Sequence, residues 1–402
     1  MDGVDQIFEA YMLNSLFKNK TVLQSNYTPE TVPHREEQVK LVANILAPAL
    51  KGEKASNLFI YGKTGTGKTL SVQYVGQRIL QKLKETGKEH VKFVYVNCKL
   101  KKVAYTEYRI LAEIINELGG SVPATGLPTD KVYSKFVDLI DDKKQIVLLV
   151  LDEIDQAVEK ISDGFIYSLT RLNSTLKNAQ INLIGISNSL TFMEAMDPRA
   201  RSSLGEEEIV FPPYNALQLG DILRERAERA FSEGVVEEGV LSKCAAYAAR
   251  EHGDARRALD LLRVAGELAE REQNKKIELK HIDLAKEKIE KDKMLDIIES
   301  EPKQFQLVLY YILSLIDEEG KDEAMYTGEV YNRYQTLCEK TKNEVLTQRR
   351  ISDILSEFDM LGIINAPVIS KGRQGRTREI KLVISTNIRE RAKEIIQKTL
   401  YL

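Results

Sequence analysis

Gly62-Lys63-Thr64-Gly65-Thr66-Gly67-Lys68-Thr69 is the stretch whose reading decides the fold. Its glycines let the backbone curl so that successive N–H groups point inward at a phosphate. Lys68 then reaches the β- and γ-phosphates, and the Thr69 hydroxyl can ligate Mg²⁺. Residues 57–61 before it, Asn-Leu-Phe-Ile-Tyr, predict a short buried strand. Residues 70–84 after it predict a helix, with Leu70, Val72, Val75, Ile79 and Leu83 at apolar positions. A phosphate at that helix start also meets the positive end of the helix dipole. Strand, loop and helix in this order are a cradle for the phosphates of a nucleotide.

A second stretch completes the first. Ile146-Val147-Leu148-Leu149-Val150-Leu151-Asp152-Glu153 is an apolar run ending in two carboxylates. Such a run is expected of a central parallel strand covered on both faces. Its C-terminal end is where an open α/β sheet binds ligands. Asp152 is placed to hold Mg²⁺, and Glu153 to orient and deprotonate an attacking water.

A P-loop alone does not name a function, since many classes of protein use one. At 402 residues the chain has room for two or three domains. Its formal net charge of −2 gives no global attraction to nucleic acid or membrane, so any basic surface is local. The three cysteines, Cys98, Cys244 and Cys338, stand far apart and form no C-x-x-C pair. They suggest neither a disulfide framework nor a zinc site, and a reducing compartment suits them. The start of the chain lacks a basic signal-peptide region, and no apolar stretch approaches the roughly 20 residues that span a bilayer. The expectation is a cytoplasmic protein with no membrane partner.

Strand and helix signals alternate along the first half. Residues 34–50 predict a helix, 93–98 a strand, 105–118 and 131–140 helices, 165–176 a helix and 181–186 a strand ending at Ser187-Asn188. Alternation of this kind implies a parallel sheet with helices on both faces. Residues 1–30 are expected to wrap onto the domain that follows. From Ala216 onward strand signals vanish, and 217–230, 236–249, 254–271 and 280–293 carry helical spacing, a small bundle. Ser300-Glu301-Pro302 reads as a break. The expected domains are 1–214, an α/β nucleotide-binding domain; 215–296, a helical lid; and 297–402, a DNA-binding domain.

Two further polar residues fall near the expected site. Asn188 ends a strand that should lie beside the P-loop strand, where an amide could meet the γ-phosphate or the attacking water; a turn-forming asparagine is the plainer reading. In Gly253-Asp254-Ala255-Arg256-Arg257-Ala258, Asp254 is a good N-cap, and an arginine of the first turn can face the phosphates or simply solvent.

Taken in order, these elements resemble the AAA+ ATPases, and among them the archaeal replication initiators related to the eukaryotic origin recognition complex and its helicase-loading partner. The likeness is carried by Tyr27-Thr28-Pro29-Glu30 through Pro33-His34-Arg35-Glu36-Glu37-Gln38, the P-loop, Leu151-Asp152-Glu153-Ile154-Asp155 and Gly185-Ile186-Ser187-Asn188. It continues in Asp197-Pro198-Arg199, Phe211-Pro212-Pro213-Tyr214 and Gly253-Asp254-Ala255-Arg256. The resemblance implies that Asn188 is sensor 1 and Arg256 sensor 2. It also implies that Pro33, His34, Arg35 and Tyr214 pack near the adenine, and that Arg199 or Arg201 serves as an arginine finger toward a neighbouring subunit.

The last hundred residues predict three helices, 304–316, 328–341 and 347–361, followed by strands at 363–369 and 378–384. The third helix starts Thr347-Gln348-Arg349-Arg350, groups that hydrogen-bond base edges and phosphates from a recognition helix. The two strands bracket Ser370-Lys371-Gly372-Arg373-Gln374-Gly375-Arg376-Thr377-Arg378, a glycine-rich basic tip. Three helices and a basic hairpin make a winged helix-turn-helix, with Lys371, Arg373, Arg376 and Arg378 expected on DNA. The resemblance agrees, and it implies a further DNA-touching helical motif around residues 126–133. The fold class is thus α/β: an AAA+ domain, a helical lid and a C-terminal winged helix.

The expected function is an ATP-switched initiator that binds double-stranded origin DNA and recruits the replicative helicase, alone or beside paralogous initiators, associated with the nucleoid. A nucleotide-switched winged-helix transcription regulator is the alternative. A metabolic phosphotransferase would need an acceptor pocket with its own base, and none is apparent in the sequence.

Overall fold

The P-loop strand, β1 (Leu58–Tyr61), sits inside a sheet whose five strands all run parallel. The others are β2 (Val91–Asn97), β3 (Gln145–Asp152), β4 (Ala179–Ser187) and β5 (Glu207–Val210), in spatial order β2-β3-β4-β1-β5. The structure, a computed structural model, describes residues 5, 15–24, 27–29, 31–99, 106–123, 126–162, 164–319, 325–341, 343–370 and 376–400. Two compact units divide it, Met1–Ala285 and Lys286–Leu402.

Every residue of β3 is buried, as its unbroken aliphatic run requires. One face of the sheet packs around Val94, Phe136, Leu149, Ile166 and Leu183, the other around Leu46, Leu58, Val72, Ile79 and Leu148. The register sets the site. Tyr61 pairs with Ser187 and Asp152 with Ile186, so the P-loop, Asp152 and Asn188 leave the sheet at one edge.

The lid helices Ala216–Ala230, Val240–Arg250 and Ala255–Arg271 follow the sheet. The first opens on a capping box, in which the Asn215 and Gln218 side chains each bond the other's backbone N–H. The described N-terminal residues Leu16, Phe17 and Lys20 pack on this lid, and Gln24, Tyr27, Thr28 and Pro29 line a cleft it shares with the P-loop. Phe17 packs against Phe231 with ring centroids 4.7 Å apart and the rings tilted by 34°, the Leu16 N–H donates to Glu270 at 2.8 Å, and Lys20 pairs with Glu267 at 2.8 Å. The physical reason is local: Gly266 on the lid leaves room for the Phe17 ring, which a Cβ there would strike.

The helix Leu279–Ser300 is longer than its sequence signal, and its last turns carry Leu295 and Ile298 into the core of the second unit. That unit holds helices Lys303–Glu319, Thr327–Thr341 and Gln348–Met360. They pack with β6 (Met325–Tyr326), β7 (Ile364–Asn365), β8 (Val368–Ser370) and β9 (Arg376–Leu382). β9 pairs antiparallel with all three other strands. The strand expected at 363–369 is two short ones separated by Ala366-Pro367, because a proline has no N–H to give a ladder. A final helix, Thr386–Leu400, buries Ala392 and Ile396 and was not expected from the sequence.

Candidate functional site

The P-loop, the ends of β2, β3 and β4, the N-terminal strap and two lid helices surround one cleft of about 380 Å³. Lys68 opens the helix Lys68–Glu85 and is buried. Its ammonium donates to the Gly62 carbonyl at 2.7 Å, the Lys63 carbonyl at 2.8 Å and Asn188 Oδ1 at 2.9 Å. All three of its N–H bonds are thus aimed, and an incoming phosphate replaces acceptors already in place. Burial is the main influence on this lysine and brings its pKa down to about 8; the nearby Asp152 opposes that shift and Arg256 adds to it.

Thr69 Oγ1 donates to Asp152 Oδ2 at 2.7 Å. A hydroxyl and a carboxylate oxygen side by side suit a hard cation such as Mg²⁺. Among the described residues no cluster of three or more His, Cys, Asp or Glu side chains could hold a metal by itself. An ion at Thr69 and Asp152 would therefore complete its shell with phosphate oxygens and water. Glu153 sits one residue on, at φ +53°, a left-handed conformation uncommon for a residue other than glycine. Its carboxylate meets Lys99 Nζ at 3.4 Å.

The lid touches the phosphate loop directly. The Ala255 N–H donates to the Gly65 carbonyl at 3.2 Å, and Asp254 caps the helix Ala255–Arg271 by accepting from the N–H groups of Arg256 and Arg257. Any Cβ on Gly65 would run into the Asp254 carboxylate. Gly253 has φ +67° and lies against the Tyr214 backbone, so only glycine fits there. Arg256 lines the cleft from this lid helix.

Several expected residues lie elsewhere. Pro33, Thr64 and Tyr214 line the cleft, but His34 and Arg35 do not. The His34 ring contacts Asp221 at 3.1 Å. Arg35 is buried, donating to the Thr66 carbonyl at 2.8 Å and to the Pro212 carbonyl, with its guanidinium 3.8 Å from the Tyr214 ring centroid. It braces the back of the phosphate loop. Arg199 is exposed but paired with Asp197 at 3.1 Å, and Arg201 is exposed on the same helix, Pro198–Leu204.

In the second unit, Thr347 caps the helix Gln348–Met360, and Gln348, Arg349 and Arg350 are exposed at its start. The Arg350 guanidinium lies 5.6 Å from the Phe305 ring centroid. Arg378 is occupied within the unit, not free for phosphate: it donates to the Ala366 carbonyl at 2.8 Å and to Ser356 Oγ at 2.6 Å, tying β9 to the helix Gln348–Met360. Lys371 and Arg373 lie outside the described residues, as does the Arg376 side chain.

Residues 51–193 match the AAA domain family, 220–287 the Cdc6 AAA+ ATPase-type lid domain and 296–392 the CDC6 C-terminal winged helix domain. The ORC1-type DNA replication protein of Pyrococcus abyssi is 54% identical over 387 residues, 95% of this chain and 91% of that protein. The chain belongs to the ORC1-type DNA replication protein family. The ORC1-type DNA replication protein 1 of Archaeoglobus fulgidus is 49% identical over 94% of this chain and 91% of its own length. Among solved structures, the Aeropyrum pernix ORC1 protein in complex with DNA superposes with a TM-score of 0.82 at 42% identity, covering 95% of this chain and 97% of that one. The Pyrobaculum aerophilum Cdc6p structure, 21% identical with a TM-score of 0.60, shares the fold.

As an ORC1-type protein the chain is an AAA+ ATPase. Sequence reasoning missed two residues of its site. Tyr95, near the end of β2, donates its hydroxyl to Asp152 Oδ2 at 2.7 Å, and burial and that carboxylate together raise its pKa. Lys99, just past β2, is the partner of Glu153. Neither carries a motif; only the pairing of Asn97 with Asp152 across β2 and β3 puts this strand end at the site.

Proposed function

We propose that this chain is a replication initiator that binds ATP with Mg²⁺ in the cleft, binds double-stranded origin DNA through its winged helix, and brings the replicative helicase to that DNA, alone or beside paralogous initiators. The observation that carries the reading is the likeness to Aeropyrum pernix ORC1, a protein captured on DNA, which extends at 42% identity from the AAA domain through the winged helix. A promoter-bound regulator would share parts of this arrangement, not its whole length.

The roles proposed for its residues are these. Lys68 neutralises the β- and γ-phosphates. Mg²⁺ at Thr69 and Asp152 would supply charge neutralisation on the phosphate oxygens. Glu153 takes the proton of the attacking water once its carboxylate leaves Lys99. Asn188, in contact with Lys68, orients the γ-phosphate or that water. Arg256 couples the phosphates to the lid, so loss of the γ-phosphate removes a contact that exists only in one state; a switch needs such a differential contact. Arg199 or Arg201 serves the site of a neighbouring copy. Gln348 and Arg349 read bases, while Arg373 and Arg376 hold phosphates. A nucleoid-associated, cytoplasmic location follows from this reading. Among the described residues no helix is long and apolar enough to cross a membrane.

Footprinting with ATP or ADP on cloned fragments tests the reading. Protection of repeats in an origin fragment, stronger with one nucleotide than the other, is expected. Protection confined to promoter fragments would contradict it.

A further inference from the structure

The cleft is lined by two arginines of different character. Arg256 stands at its phosphate end, where its charge bears on Lys68. Arg226, on the lid helix Ala216–Ala230, lines the same cleft, and the charged side chains that bear on it are Glu225 and Arg229. Arg226 is 6% exposed. A guanidinium carries five N–H donors and keeps its charge at any physiological pH, so burying it is costly unless acceptors surround it. Among the described residues its one hydrogen bond is a long one, from Nη1 to the Val22 carbonyl at 3.4 Å. Among the described residues no carboxylate forms an ion pair with it, and its neighbour Glu225 is taken by Arg229 at 3.3 Å. One face of the guanidinium lies on the Tyr27 ring, 4.6 Å from the centroid. The rest of this end of the cleft is Tyr27, Pro29, Val32 and Ile222, with the Glu225 carboxylate beside them.

A buried, under-satisfied donor fork stacked on an aromatic ring is built to receive a flat group that brings acceptors. The triphosphate belongs at Lys68, so the flat group is the other end of the nucleotide. We propose that Arg226, supported by Tyr27, contacts the purine base of the bound nucleotide and supplies base-dependent affinity through donors to the ring nitrogens and stacking. The proposal rests on the reading of the cleft as a nucleotide site. One consequence separates it from a general adenine pocket. A group that only donates cannot recognise the adenine amino group, itself a donor, and pairs at least as well with the acceptor edge of guanine. Arg226 thus adds affinity without rejecting GTP.

The test compares ATP, ADP, GTP and inorganic tripolyphosphate, which has no base, binding to the full chain by calorimetry. The wild type should bind ATP more tightly than tripolyphosphate; if it binds neither, the nucleotide reading itself fails. Arg226→Met and Arg226→Gln should weaken ATP and ADP by the same factor, about tenfold or more for a charged donor lost from a buried site. GTP should weaken at least as much, and tripolyphosphate should not change. Unchanged ATP affinity in both variants overturns the proposal. So does an equal loss for tripolyphosphate, which would mark a phosphate contact or a damaged fold. Tyr27→Ala, which leaves the arginine in place, should show the same base-dependent pattern in weaker form, and a loss common to all four ligands would again count against it.

Discussion

Raising the pH should weaken ATP binding by an amount that Lys68 sets. Burial brings its pKa down to about 8 in the nucleotide-free site. Bound phosphates favour the ammonium and raise that pKa, so above pH 8 binding takes up a proton. The sign follows: affinity is full below the free-site pKa and falls as pH rises through it. The charged fraction drops from roughly nine-tenths at pH 7 to one-tenth at pH 9, so the Kd should rise about tenfold, or about 1.4 kcal/mol. The assay is titration with a fluorescent ATP analogue between pH 6.5 and 9.5, with calorimetry in buffers of different ionisation enthalpy to count the proton. Lys68→Arg should bind more weakly but with a flat profile, because a guanidinium does not titrate in this range. A wild-type Kd unchanged between pH 7 and pH 9 would refute the reasoning.

Other outcomes are expected from the same geometry. Glu153→Gln should keep ATP bound and nearly abolish hydrolysis, since the amide hydrogen-bonds but takes no proton; turnover at the wild-type rate would remove Glu153 from the role of base. Gly253→Ala forces a left-handed alanine against the Tyr214 backbone, with a cost of about 1–2 kcal/mol from conformation alone and more from the clash. ATP affinity and thermal stability should both fall, and a variant with wild-type values of both would show that the lid contact is dispensable. Arg373→Ala with Arg376→Ala should weaken binding to all duplexes and flatten its salt dependence by roughly 0.9 per lost phosphate contact. Arg349→Ala should instead reduce discrimination between sites, by about 1–3 kcal/mol where a bidentate base contact is lost. Titrations of specific and random DNA at several salt concentrations separate the two, and equal losses on both DNAs from the helix substitution would sink its assignment.

Most of the catalytic edge was legible because its signals are local. A P-loop between strand and helix, and an aliphatic run ending in Asp152-Glu153, each declare their structure within eight residues. The placement of Asn188 beside the loop was legible in the alternation of strands, and the pairing of β4 with β1 agrees. The pieces that escaped notice are short or depend on distant partners. β5 is four residues of which only Ile209 is buried, too short to show a period. The helices Ile154–Lys160 and Pro198–Leu204 span two turns each. The last helix has its apolar stripe at Ile388, Ala392 and Ile395-Ile396, a readable period behind a hairpin that looked like an ending. Arg226 carries no signal in the sequence, and Arg35 and Arg378 were expected on ligands, at the adenine and on DNA; nothing in the sequence sets their buried roles apart from those of surface arginines. What separates them is burial against carbonyls and rings from segments far away in sequence, which no window of residues contains.

The most direct measurement of the central claim is the genome-wide occupancy of this protein in growing cells, set beside a replication profile from marker frequency. The account predicts that its strongest sites coincide with the maxima where replication begins, and that occupancy there changes in a Lys68→Ala strain. Strong sites spread over promoters, with none at the replication maxima, would contradict it.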